Sequence, residues 1–351
     1  MTLIYRFYSY YPKEINQLLA QIVDYAAQQK IYDFSCKKSY MKGFHLAVKT
    51  SKNSAINDFL KKVTLSQVDT DINYKRVQQQ IEIISRFEES ELVNFPLERQ
   101  GEIKITNKET LLYPAKQIFP LSFVKRIEEY ETELLINSFN EWKNFNVEEQ
   151  NEAIAKLFLL FAKRNRFGVK YGYLGFKSNS EYFHEQLKDL SEKNQEKLED
   201  YLNQYSNTEL ALKDNFAAFL KLKNYSGILL HFEIFLDKIN DLVNEAIAHH
   251  NIDFTKMYHA DDFFERHLHW SEFHEAFYSN RVLLNLYHQL EFLSYRLSIG
   301  IIYSILPELG ISNLRKEKIT CLVSMIVEDY FQSDWKQLLN GGLRNEKLSN
   351  Y

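Results

Sequence analysis

The sequence predicts an α+β protein, with a small ferredoxin-like mixed sheet at the N-terminal end carrying a large, mostly helical body. Three observations point there. Aromatic and branched residues gather in short runs within the first fifty positions, and an amphipathic stretch separates the first run from the others. Between Pro120 and Pro307 there is no proline at all. Long helices need that composition, since proline costs ~3 kcal/mol and glycine ~1 kcal/mol inside one.

The elements follow in order. Leu3 to Tyr10 is rich in residues that fit a pleated surface and reads as a strand. Pro12 then opens a helical pattern, with Ile15, Leu18, Leu19, Ile22, Val23 and Ala26 three and four apart. Strand-like runs at Ile31–Phe34 and Gly43–Lys49 complete a strand, helix, strand, strand opening. Helical patterns cover Asn53–Lys62 and Tyr74–Phe87, and Gly101–Ile105 returns to alternation as an edge strand. Beyond Pro120, helices are predicted at Leu121–Trp142, Val147–Lys163, Ser180–Leu202, Thr208–Leu222, Ile228–His249, Asp261–Leu306 with at least one break, and Lys316–Leu339. Asn146 with Glu149 fits an N-cap and its reciprocal partner. Gly168, Gly172 and Gly175 mark a turn-rich link in which Val169–Phe176 is read as a short strand. These readings divide the chain into a sheet module over 1–112 and a helical body over 113–351.

Composition narrows the function classes. A hydrophobic fraction of 45% with 15% aromatics suits a packed core rather than disorder. The formal charge of −4 gives no bulk reason to expect nucleic acid as a partner. Cys36 and Cys321, the only cysteines, do not make a disulfide framework and suit a reducing compartment. Met1 to Tyr11 lacks the continuous apolar core of a signal peptide, and no apolar run approaches the length of a membrane span. A soluble cytoplasmic protein without membrane insertion is the expectation. There is no Gly-rich phosphate loop, no H-E-x-x-H, no C-x-x-C and no G-x-S-x-G, which removes the main support for dinucleotide, P-loop and standard hydrolase chemistry.

Four segments carry a resemblance. They are Phe44-His45-Leu46-Ala47-Val48-Lys49, Glu98-Arg99-Gln100-Gly101, the stretch from Gly175 through Ser178-Asn179-Ser180-Glu181 to Phe183, and the stretch from Leu309 to Glu317. In that order the chain resembles the C-terminal elimination domain of class I lantibiotic dehydratases, which also occurs as a free-standing thiopeptide-type bacteriocin biosynthesis protein. The family strand reads His-Leu-Arg-Leu-Arg, so Ala47 stands at the first arginine position and Lys49 at the second. The family's Glu-Arg-Tyr-Gly is matched with Gln100 in place of tyrosine.

The resemblance implies removal of glutamate from glutamylated Ser or Thr of a ribosomally made precursor peptide, leaving a dehydroamino acid. The peptide would come from a separate glutamyl-transferring subunit; no cofactor and no metal is implied, and a homodimer is compatible. Arg99 and Lys49 would hold the departing carboxylate, arginine being the better suited because its planar fork binds at two points. His274 would move protons, as a side chain with a pKa near neutrality does. His45, Glu98, Asn280 and Arg281 would bind substrate, the last two matching a family Asn-Arg pair that follows the catalytic histidine. His288 with Arg296 is the competing register. Loss of the cation at Ala47 keeps two alternatives in play: a pyridine-forming cycloaddition enzyme of thiopeptide assembly, and a non-catalytic peptide-binding scaffold on the same fold.

Plainer readings stand beside these. Arg99 next to Glu98 equally fits a solvated pair on a sheet edge, worth roughly 0–1 kcal/mol. His45 between Phe44 and Leu46 fits a packed core histidine, Lys49 a surface charge, and His274 a surface histidine. Seven of the ten histidines lie between His249 and His288. Even so, His267 and His269, two apart on a continuous helix, point to different faces and chelate poorly. Tyr5, Phe7 and Tyr10 with Tyr171, Tyr173 and Phe176 suit a core by default, with a peptide groove as the rival.

Overall fold

The computed structural model describes residues 2–40, 42–66, 72–87 (backbone only from 83), 96–107, 119–166, 168–188, 190–249, 271–280 and 289–339. The chain forms two compact units. One comprises Met1–Gln117, Leu121–Phe139 and Pro307–Gly310; the other comprises Ile118–Pro120, Asn140–Leu306 and Ile311–Tyr351.

The first unit is built on a four-stranded antiparallel sheet of β1 (Thr2–Tyr8), β2 (Phe34–Ser39), β3 (His45–Ser51) and β4 (Ile103–Thr106), in the order β2-β3-β1-β4. The predicted α+β plan is therefore present. The second strand differs from expectation, beginning at Phe34 rather than Ile31 and running through Lys37 and Lys38. Helix α1 (Pro12–Gln29) buries the six apolar positions predicted from spacing. Short α2 (Ala55–Leu60) lies on the same side, where the Tyr5 hydroxyl donates to Asn57 Oδ1 at 2.6 Å. Helix α3 covers Tyr74–Phe87.

Strand alternation sorts the sheet into two faces. Phe34, Cys36, Tyr5, Phe7, Leu46 and Val48 form one, all buried. Ser35, Lys37, His45, Ala47, Lys49, Arg6, Tyr8 and Lys104 form the other, in cross-strand register Ser35↔Lys49, Lys37↔Ala47, Arg6↔Ala47, Arg6↔Lys104 and Tyr8↔His45. Helix α4 (Leu121–Trp142) meets this polar face through its part in the first unit. The Thr132 hydroxyl donates to the Phe34 carbonyl at 2.9 Å, Lys37 pairs with Glu131 at 2.8 Å, and Lys49 pairs with Glu128 at 3.1 Å. In the turn between β2 and β3, Gly43 has φ +119°, and a Cβ there would lie 2.3 Å from the Tyr10 hydroxyl. Only glycine meets both conditions.

The second unit is helical. Helix α5 (Val147–Arg164) starts with the predicted capping box: Glu149 N–H donates to Asn146 Oδ1 at 2.9 Å, and Asn146 N–H donates to the Glu149 carboxylate at 2.8 Å. The link read as a strand at Val169–Phe176 is instead helical, as α6 (Gly168–Gly172) and the start of α7 (Leu174–Leu187). Gly172 there serves close approach, because a Cβ on it would sit 2.6 Å from the Ala162 carbonyl oxygen. The Tyr295 hydroxyl stitches the joint by donating to the Gly172 carbonyl at 2.6 Å and accepting from Gly175 N–H at 2.9 Å.

The helix predicted at Ser180–Leu202 is broken near Ser191 into α7 and α8 (Glu192–Asn203). That at Thr208–Leu222 is jointed at Asn215 into α9 (Asn207–Asp214) and α10 (Phe216–Lys221). Next come α11 (Ile228–Ala248), α12 (Glu272–Ser279), α13 (Leu290–Ile305) and α14 (Asn313–Phe331), which ends at Gln332 in a left-handed conformation, short of the predicted Leu339.

Phe158, Phe161, Phe176, Tyr295 and Tyr303 interlock at the heart of this unit, with Phe158 and Phe176 stacked at 4.5 Å. Tyr5, Phe7, Tyr173 and Phe176 are all at most 2% exposed, so these aromatics are core and do not edge a peptide groove. No described helix is long and apolar enough to cross a membrane.

Candidate functional site

In the first unit, the segments carrying His45 and Arg99 are neighbours. Glu98 N–H donates to the Lys42 carbonyl at 2.7 Å, and Tyr10 donates to the Glu98 carbonyl at 2.6 Å. Arg99-Gln100-Gly101-Glu102 is a turn closed by Glu102 N–H to the Arg99 carbonyl at 3.2 Å, with Gly101 at φ +75°. Gln100, the departure from the family's tyrosine, is the hub of this corner. Its amide nitrogen donates to Ser9, Glu14 and the Ser66 carbonyl, and its oxygen accepts Tyr10 N–H at 2.8 Å. Arg99 itself is exposed on the turn. The Glu98 carboxylate pairs with Lys104 at 2.5 Å rather than with Arg99.

Lys49 is committed to Glu128, whose Oε2 also accepts the Ser35 hydroxyl at 3.5 Å. Ala47 offers only a methyl. Across from it on β1, Arg6 is half-buried and donates from Nη1 to Thr106 Oγ1 at 3.1 Å. Sequence reasoning missed Arg6, because its place beside Ala47 depends on the β1–β3 register.

His45 is buried. Its Nδ1 is 2.9 Å from the Gly43 carbonyl, which can only accept, so Nδ1 carries the hydrogen and Nε2 the lone pair. The ring lies 4.7 Å from that of Tyr8. Burial holds His45 neutral, lowering its pKa from 6.5 to about 4, with the nearby Arg6 charge acting in the same direction. Because the unfolded chain takes up this proton below pH 6.5 and the native state does not, stability is full above pH 6.5 and is lost between 6.5 and 4. By pH 5 the loss is about 2 kcal/mol. Melting temperatures at pH 7.5 and 5 should show that loss in the wild type and not in His45→Gln; an equal loss in both would assign it elsewhere.

The second unit brings the Ser178 segment of α7 together with His274 and with α14, which carries the end of the last resembling segment. Ser271 caps α12, accepting His274 N–H at 3.4 Å, and its Oγ lies 2.6 Å from His274 Nδ1. On the other side of the ring, Nε2 lies 2.9 Å from Ser178 Oγ on α7. His274 is buried and Ser178 half-buried, so the hydroxyl forms the outer end of the array. One residue on, the Asn179 amide donates to Glu317 Oε2 of α14 at 2.6 Å. Lys177 pairs with Glu181 at 2.9 Å, and Tyr173 donates to Glu328 at 3.1 Å.

An imidazole between two hydroxyls has two equivalent polarities: each serine can donate or accept, and the ring tautomer follows. Such an array can take a proton at one atom and return it at another. Sequence alone gave His274 and the Ser178 segment but not their contact, which needs α7 and α12 side by side.

Asn280 ends α12 and donates to the Leu339 carbonyl at 3.0 Å, a structural tie. Arg281, His288 and the histidines from His250 to His269 lie outside the described residues. Among the described residues, no three His, Cys, Asp or Glu side chains are placed to hold a metal ion. Cys321 lies 3.5 Å from His184 Nε2, yet burial pushes its thiol up to about 12, so it stays protonated near neutrality.

No protein-family model matches the chain, and no curated protein matches it by sequence. Two solved structures are similar to it over nearly their whole length. One is TbtD, a pyridine synthase from thiomuracin biosynthesis, at 13% identity and a TM-score of 0.60, covering 94% of this chain and 99% of that one. The other is TsrL, at 12% identity and a TM-score of 0.61, covering 97% of each. The chain therefore has the fold of TbtD and TsrL.

Proposed function

We propose that this protein modifies a ribosomally made precursor peptide by pyridine-forming cycloaddition. The observation that carries this reading is the Ser271–His274–Ser178 array, set in a fold shared end to end with a pyridine synthase. Building an aromatic nitrogen ring from two dehydroalanines and an intervening amide requires the amide proton to move from nitrogen to oxygen, two C–C bonds to close the ring, and then loss of water together with loss of the amide carried on the α-carbon of the second dehydroalanine. A hydroxyl backed by a tautomerising imidazole suits that relocation. The scaffold alternative gives such an array no task.

Glutamate elimination is less well served. Of the cations assigned to the leaving carboxylate, Lys49 is already paired with Glu128, Arg99 is exposed on a turn, and position 47 has no charge. The substrate dehydroalanines would be supplied by a preceding dehydration of serine.

Incubation with a synthetic peptide carrying two dehydroalanines should give a product lighter by at least one water, with new near-ultraviolet absorbance. An unchanged peptide, alongside glutamate loss from a glutamylated serine peptide, would replace this reading with elimination.

A further inference from the structure

The polar face of the sheet carries four cations, and three are neutralised within it. Lys37 meets Glu131 and Glu308, Lys49 meets Glu128, and Lys104 meets Glu98 and Glu102. Arg6 is the exception: among the described residues its guanidinium meets no carboxylate, and Thr106 supplies its one hydrogen bond. It sits mid-sheet on β1, half-buried, with Ala47 on one side and the already paired Lys104 on the other. Next along the same face are Tyr8 and His45, two rings in contact.

A half-buried guanidinium without a counter-charge bears a desolvation cost that its neighbours on this face avoid. Its planar fork has donors to spare beyond the bond to Thr106, and Ala47 beside it brings no polar atom.

We propose that Arg6 is the point where this protein holds a carboxylate of its peptide substrate. The inference rests on the peptide-modifying reading above and adds a substrate feature to it, an acidic group on the peptide. The carboxylate is either a side chain or a chain terminus, and the two are separable.

The test is phenylglyoxal labelling of the full chain, mapped by mass spectrometry, with exposed Arg99 as the internal reference. Three probes are compared: acetyl-Ala-Glu-Ala-amide, acetyl-Ala-Gln-Ala with a free C-terminus, and acetyl-Ala-Gln-Ala-amide. Occupancy near saturation should slow labelling of Arg6 about fivefold without changing Arg99. Protection by the first probe assigns a side-chain carboxylate, and protection by the second assigns a terminus.

Equal labelling with all three probes overturns the inference. If the dehydroalanine peptide is nonetheless converted, the functional reading survives that result. Protection of Arg6 without conversion would have the reverse meaning. In an active protein, Arg6→Gln should raise KM about tenfold with little change in kcat, and Arg6→Lys should recover part of the loss. An unchanged KM would likewise end the assignment.

Discussion

His274→Ala is expected to lower conversion of the dehydroalanine peptide by about a hundred- to ten-thousandfold, the range a positioned proton-transfer group supplies. The expectation follows from the two hydroxyl contacts at 2.6 and 2.9 Å, which fix both ring nitrogens at once. Removing the ring also strands the Ser271 and Ser178 hydroxyls, but both keep other options. Ser271 still accepts at the helix start, and half-buried Ser178 reaches water. The stability cost is therefore about 1–2 kcal/mol, too small to explain the loss of turnover by unfolding.

A chemical role has a signature that a structural one lacks. Free imidazole should restore part of the activity of His274→Ala by occupying the vacated space. Ser178→Ala should lose less than His274→Ala, since water can stand in for a hydroxyl at the outer end of the array. An active, imidazole-insensitive His274→Ala protein would remove the array from the mechanism.

Local chemistry explains which parts of the molecule were legible in the sequence. The stripe from Ile15 to Ala26 and the box of Asn146 with Glu149 each encode their outcome within a single element, and both formed as read. The strand holding Ser35, Lys37 and Lys38 was not legible, because buried Lys37 disguises a core strand until its partners on α4 and at Glu308 are known. The Gly168–Gly175 link misled for a related reason. Its glycines suggested turns, as Gly168 with φ +65° does make, whereas Gly172 lets helix α6 press against Ala162 and accepts the Tyr295 hydroxyl.

The candidate site divides in the same way. His274 and the Ser178 segment were each visible but their contact was not, and Arg6 became visible only through the strand register. Contacts made across elements are what the linear pattern omits.

The largest stability effect is expected at that illegible strand. Lys37 Nζ stands 2.8 Å from Glu131 and 3.7 Å from Glu308, and both carboxylates are buried. Glu308 also accepts Lys38 N–H at 2.8 Å. Burial raises the Glu308 pKa, and the attraction of Lys37 offsets only part of that rise.

Lys37→Met keeps the stem and deletes the charge, leaving two carboxylates facing each other in a dry interior. Breaking a buried pair in this way costs about 3–5 kcal/mol. For a unit of this size that lowers the melting transition by ~10 °C or more.

The sign of the pH dependence identifies the cause. In the variant, Glu308 binds a proton more readily in the folded than in the unfolded state, so stability returns as pH falls toward 4.5, the ordinary glutamate value. The gap in melting temperature between wild type and Lys37→Met should therefore narrow from pH 8 to pH 5. Adding Glu131→Gln should close much of it at pH 8, because the repulsion then has one partner instead of two. A gap of constant width, or a double variant no better than the single, would mean that packing of the lysine stem, and not its charge, holds the strand to α4.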